Sequence, residues 1–108
     1  MKKIIAKLNF QQGDVIGRKV ESLPAGEQKI IGRKRLVLAH GESGHSHVIE
    51  DDEAVMVQVG EAVYLQLEKT ATVKHEEHKP VTLSPGLWEI GRVKEFDYFE
   101  MMSRQILD

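Results

Sequence analysis

The 108-residue sequence contains no cysteine. That removes disulfides, thiolate metal ligands and thiol nucleophiles together, and it fits a reducing compartment. Aromatics make up only 6%, with a single tryptophan and three phenylalanines, and there are three prolines. No glycine pattern resembles a phosphate loop or a dinucleotide fingerprint. No run approaches the roughly 20 apolar residues of a spanning helix. The basic start at Met1-Lys2-Lys3 leads into an apolar run that Lys7 and Asn9 interrupt, too short for a secretory signal. A cytoplasmic location and no membrane partner are the expectation. The net charge is -2, so there is no global attraction to nucleic acid or anionic lipid.

What is present is an ordinary globular balance, 41% apolar and 30% charged. The length is that of one domain, taken as residues 1–108. β-branched and apolar residues come in short runs separated by turn signals, the pattern of an all-β domain. Gln12-Gly13-Asp14, Leu23-Pro24-Ala25-Gly26, Gly41–Gly44, Gly60-Glu61 and Ser84-Pro85-Gly86 read as turns or loops. Glu50-Asp51-Asp52-Glu53 reads as a polar turn between an extended His45–Ile49 and a strand Ala54–Val59. Further strands are expected over Lys34–His40, Ala62–Leu67, Ala71–His75, Val81–Leu83, Leu87–Val93 and Lys94–Phe99. Phe99–Leu107 suits either a helical turn or a last strand. About eight or nine short strands imply a small β-barrel or sandwich. Closure into a barrel would also remove exposed edges.

Four of the five histidines fall into two pairs. His45 and His47 lie two apart, so on a strand both imidazoles face the same side. His75 and His78 lie three apart, which suits a turn at a strand end. His75 shares a face with Ala71 and Val73, small apolar residues that should look inward. Four imidazoles, or three with a carboxylate, suit a divalent transition metal such as Zn, Fe, Mn, Ni or Cu. The candidate metal ligands are therefore His45, His47, His75 and His78. His40 ends a strand on the face of Leu36 and Leu38 and reads more simply as a packed histidine. Glu50 and Glu53 could supply an oxygen ligand or a base, and Glu76 and Glu77 could orient imidazoles. The simpler reading of all four is a solvated acidic turn. Asp51 and Asp52 do not follow a calcium-loop spacing.

Other groupings carry less. Lys29, Arg33, Lys34 and Arg35, with Arg18 and Lys19, form a basic cluster without interleaved aromatics, which reads as a solvated face rather than a nucleic-acid surface. Trp88, Phe96, Tyr98 and Phe99 read as core. Ser43 and Ser46 adjoin histidines, but no third member of a catalytic triad can be argued.

Two resemblances follow from these motifs. Gln12-Gly13-Asp14-Val15, Ser22–Gly26, Gly44-His45-Ser46-His47-Val48-Ile49, His75-Glu76-Glu77-His78-Lys79-Pro80, Pro85-Gly86 and Glu95–Tyr98 together resemble a family of small uncharacterised prokaryotic and phage proteins. The two histidine motifs are its signature, and the resemblance implies no known activity. The second resemblance is partial. Gly41, His45, His47, Glu53 and Gly60 fall in the order of the first cupin motif, and His75 stands where the later cupin histidine would. The Pro-Gly turn follows His75 here instead of preceding it, and His78 has no cupin counterpart. A cupin-like chain would hold Fe, Mn, Ni or Zn and act as a dioxygenase, an isomerase or a binding protein.

Three functions are open at this point. One is a metal-binding barrel whose four histidines close the coordination sphere. The second is a metal enzyme with three histidines, an open position for a small molecule, and Glu53 or Glu77 as base. The third is a protein or nucleic-acid interaction module with structural histidines. A homodimer is compatible with all three.

Overall fold

The computed structural model describes residues 4–6, 9–40 and 45–92, with backbone alone for 4–6 and 40. The described residues form nine strands and no helix. They are β1 (Ile4–Ala6), β2 (Asn9–Gln12), β3 (Val15–Val20), β4 (Gln28–His40), β5 (Ser46–Val59), β6 (Ala62–Leu67), β7 (Ala71–Lys74), β8 (Val81–Leu83) and β9 (Gly86–Arg92). They hydrogen-bond in the order β1-β8-β7-β5-β6-β9-β3-β2, with β4 added along β5. The β1–β8 pair is parallel and the other pairs are antiparallel. The sheet curls into a barrel-like, nearly closed form, as the all-β reading anticipates.

Turn chemistry sets the register of two hairpins. In β2–β3, Gln12 faces Val15, which leaves Gly13-Asp14 as a two-residue turn. In β5–β6, Val59 faces Ala62, which leaves Gly60-Glu61. Gly13 and Gly60 have φ of 60° and 62°. A positive φ at the first turn position matches the twist of the flanking strands and is open to glycine at little cost.

Period-two alternation then sorts the side chains. Phe10 and Gln12 of β2 are buried while Asn9 and Gln11 are exposed. The inward face collects Phe10, Val15, Leu36, Ile49, Leu65, Val73, Leu83 and Trp88 into the main core. Trp88 is fully buried and meets Phe10 edge-on, with ring centres 5.7 Å apart. Its indole N–H donates to the Ser84 carbonyl at 2.9 Å, so the polar end of a buried aromatic is satisfied. Val57, Val59 and Tyr64 form a smaller cluster on the opposite face of the sheet, with Val20 and Leu23 packed on it.

The acidic run Glu50–Glu53 is not the expected turn. β5 passes through it as one strand of 14 residues. Arg33 pairs with Val55 while Arg35 pairs with Glu50, so β5 carries an irregular excess of residues there. The irregularity moves the core-facing positions from odd numbers, His47 and Ile49, to even ones, Ala54 and Met56. A long strand can thereby wrap a small barrel without turning its apolar residues outward. β4 likewise begins earlier than expected, at Gln28, and a register shift between Val37 and Ala39 breaks its simple alternation. The expected strand Lys94–Phe99, the segment Phe99–Leu107, the loop Gly41–Gly44 and the aromatics Phe96, Tyr98 and Phe99 lie outside the described residues.

Candidate metal centre

Sheet register brings the two histidine pairs together. β5 and β7 pair through Ile49 with Val73 and Val48 with Lys74. One step further along the same ladder sets His47 beside His75, and their ring centres are 4.3 Å apart. His45, just ahead of β5, lies with its ring centre 5.8 Å from that of His75. His78 lies 4.6 Å from His75 and 6.0 Å from His47. His47 is buried, His45 and His75 are half-buried, and His78 is exposed, so the cluster opens outward from a buried base.

The base is held by Gln12, a residue whose sequence context marks only a turn. The Gln12 amide nitrogen donates to the carbonyls of Val73, at 3.0 Å, and Lys79, at 2.9 Å. Carbonyls only accept, so the amide oxygen must face the other way, toward Nδ1 of His47 at 2.8 Å. That oxygen accepts only, so Nδ1 of His47 carries the hydrogen. In the neutral ring the lone pair then sits on Nε2. Gln12 belongs to the last strand of the sheet path, and Val73 to β7 near the other end. Its side chain therefore ties the two ends of the curled sheet together at the histidines.

The turn after Gln12 closes over the same rings. A Cβ at Gly13 would lie 2.7 Å from Nε2 of His78 and 3.3 Å from Cε1 of His47. Asp14 places Oδ1 3.6 Å from Nε2 of His47, and its Oδ2 accepts two hydrogen bonds from Arg92, at 2.9 and 2.6 Å. The Arg92 hydrogen bond holds the Asp14 carboxyl below its ordinary 3.8, against a smaller opposing effect of burial. Burial is the main cause that pushes the His47 imidazole below its ordinary 6.5. The neighbouring His75 acts in the same direction, and Asp14 opposes it.

The other rings have their own partners. Nδ1 of His45 faces Glu76 Oε2 at 2.9 Å. The backbone N–H of Glu77 donates to Nδ1 of His75 at 3.0 Å, which places the hydrogen of neutral His75 on Nε2. Glu76 thus contacts a histidine through its carboxylate, and Glu77 through its backbone. Glu53 instead lies 3.7 Å from Lys69, and Glu50 faces Arg35 across the β4–β5 ladder. Among the described residues, no three histidine, aspartate or glutamate side chains bring their donor atoms to one point as a bound metal would have them.

The basic cluster divides. Arg18 pairs with Glu89 at 2.6 Å. Lys19 donates to Ser84 Oγ at 2.7 Å and lies over the Trp88 ring. Lys29, Arg33, Lys34 and Arg35 are exposed on β4. The described residues include no helix long and apolar enough to cross a membrane. The residues that sequence reasoning missed are Gln12, Gly13, Asp14 and Arg92. Gln12-Gly13-Asp14 was visible as a turn, but nothing in its composition points to the histidines.

No curated protein and no solved structure matches the chain. A family model described as a domain of unknown function, DUF8820, matches residues 11–93, a span that contains both histidine pairs together with Gln12, Asp14 and Arg92. The chain belongs to the DUF8820 family, whose function is unknown.

Proposed function

We propose that the protein binds one divalent transition metal, of the Zn, Fe, Mn or Ni type, through His45, His47, His75 and His78. The observation that carries this reading is the spacing of the rings. Imidazoles bound at about 2.0–2.1 Å around a tetrahedral ion have ring centres roughly 5 Å apart. Four of the six ring separations run from 4.3 to 6.0 Å. The polar partners support it further. His45 and His47 each direct Nδ1 at an oxygen, from Glu76 and Gln12. That leaves Nε2 of each as the donor, the usual orientation of a metal-binding histidine.

One observation favours a variant with an open coordination position, the arrangement of a metal enzyme. Nδ1 of His75 already accepts the Glu77 N–H, so His75 ligates through Nε2 only after that hydrogen moves. With His75 outside the coordination sphere, three imidazoles remain and a position is left for water or a small molecule.

The test is metal content of protein purified without a histidine tag, beside the His45→Ala/His75→Ala double variant. About one equivalent of a transition metal, lost in the variant, is the expected result. Wild-type protein that is metal-free and takes up none of Zn²⁺, Fe²⁺, Mn²⁺ or Ni²⁺ would sink the proposal.

A further inference from the structure

We infer that Asp14 is a ligand of this same site, and that Arg92 holds its carboxylate while no metal is bound. The inference rests on the metal reading above and adds a donor that neither histidine motif contains. The two oxygens of Asp14 have separate neighbours. Oδ2 takes both hydrogen bonds from Arg92, while Oδ1 faces Nε2 of His47 at 3.6 Å. Because Gln12 fixes the hydrogen of His47 on Nδ1, two lone-pair atoms look at one another there.

A cation between them would make that arrangement favourable, and the distance separates the candidates. A proton shared in a charge-assisted N–H···O bond draws the heavy atoms to about 2.7–2.9 Å. Two ligands of one tetrahedral ion, each at about 2.0–2.1 Å, stand roughly 3.4 Å apart. The observed 3.6 Å is close to the second and far from the first. The Gly13 turn, packed on His47 and His78, keeps the carboxylate at the edge of the cluster. A carboxylate beside imidazoles is a harder donor set than imidazole alone, and it directs the site to Fe²⁺, Mn²⁺ or Zn²⁺ over Cu⁺. Arg92 then acts as a placeholder cation, occupying Oδ2 while Oδ1 faces His47.

The experiment is a Zn²⁺ competition titration against a chromophoric chelator, on wild type, Asp14→Asn, Arg92→Gln and His47→Ala, with circular dichroism to check folding. Asp14→Asn should weaken binding by about 10–100-fold, the range seen when groups that support a metal site are removed. Arg92→Gln removes the cation that competes for the carboxylate and should bind Zn²⁺ more tightly than wild type. It also reads the inference independently if Asp14→Asn does not fold. Wild-type affinity in folded Asp14→Asn, with binding lost in His47→Ala, would overturn the role of Asp14 and leave the histidine site standing. Unchanged or weaker binding in folded Arg92→Gln would overturn it too, because Asp14 would then not be shared between Arg92 and the metal. A wild-type protein that binds no Zn²⁺ would remove the histidine site and this inference together.

Discussion

Gln12 Oε1 accepts the Nδ1 hydrogen of His47 at 2.8 Å across 35 positions of sequence, and the same amide donates to Val73 and Lys79. One side chain therefore fixes the orientation of a buried imidazole and links β2 to β7. Its loss leaves two carbonyls and one imidazole N–H to find new partners.

Gln12→Leu is expected to destabilise the protein by at least about 1–3 kcal/mol, the cost of a buried polar group left unpaired. Urea unfolding followed by Trp88 fluorescence measures this directly. A variant within 0.5 kcal/mol of wild type, by the same rough scale, would mean that water replaces the amide without loss.

Stability should fall with acid, beginning near pH 6.5. The folded state holds His47 below its ordinary 6.5, so between that value and its folded pKa the unfolded chain binds the extra proton. Stability rises with pH wherever the unfolded state binds more protons. The His47 contribution is therefore complete above 6.5 and is lost as pH drops toward the folded value. Asp14, held below 3.8 by Arg92, adds a second loss below that pH. Urea midpoints at pH 7.5 and 5.5 should differ in wild type, and the difference should shrink in His47→Gln.

Gly13→Ala is expected to cost about 1–2 kcal/mol, because an L-residue at φ 60° carries a left-handed penalty. The new methyl would also press on His78 and His47. Thermal unfolding measures the first effect, and a metal titration beside it measures the second. Gly60→Ala is the control. It has nearly the same φ and nothing within 4 Å of the added Cβ, so it should show the stability loss alone.

Trp88→Ala should cost about 3–5 kcal/mol, as for other large-to-small changes at buried aromatics. In a chain of this size that is a large share of total stability. Far-ultraviolet circular dichroism against urea checks it, since the variant has no tryptophan to report. Glu76→Gln is the contrast. Glu76 is 75% exposed, and its loss should change stability by less than about 0.5 kcal/mol.

Much of the fold could be read locally. The strands Ala62–Leu67 and Val81–Leu83 fall where alternation and turn residues put them. The inward face of Ala71, Val73 and His75 also follows from period two, with two buried residues and a half-buried histidine. The error at Glu50–Glu53 has a physical cause. Four acidic residues look like a solvated turn, but the β4 partner keeps the chain extended through a bulge, and ladder pairing outweighs local turn preference.

The sequence by itself determined an all-β chain and the presence of two histidine pairs, because both depend on residues a few positions apart. Only the tertiary structure decided what meets those histidines. Gln12 reaches Val73 across 61 positions, and Arg92 reaches Asp14 across 78. Those approaches depend on the twist and register of the whole sheet, which sum over many strand pairs and leave no trace in any short stretch of sequence.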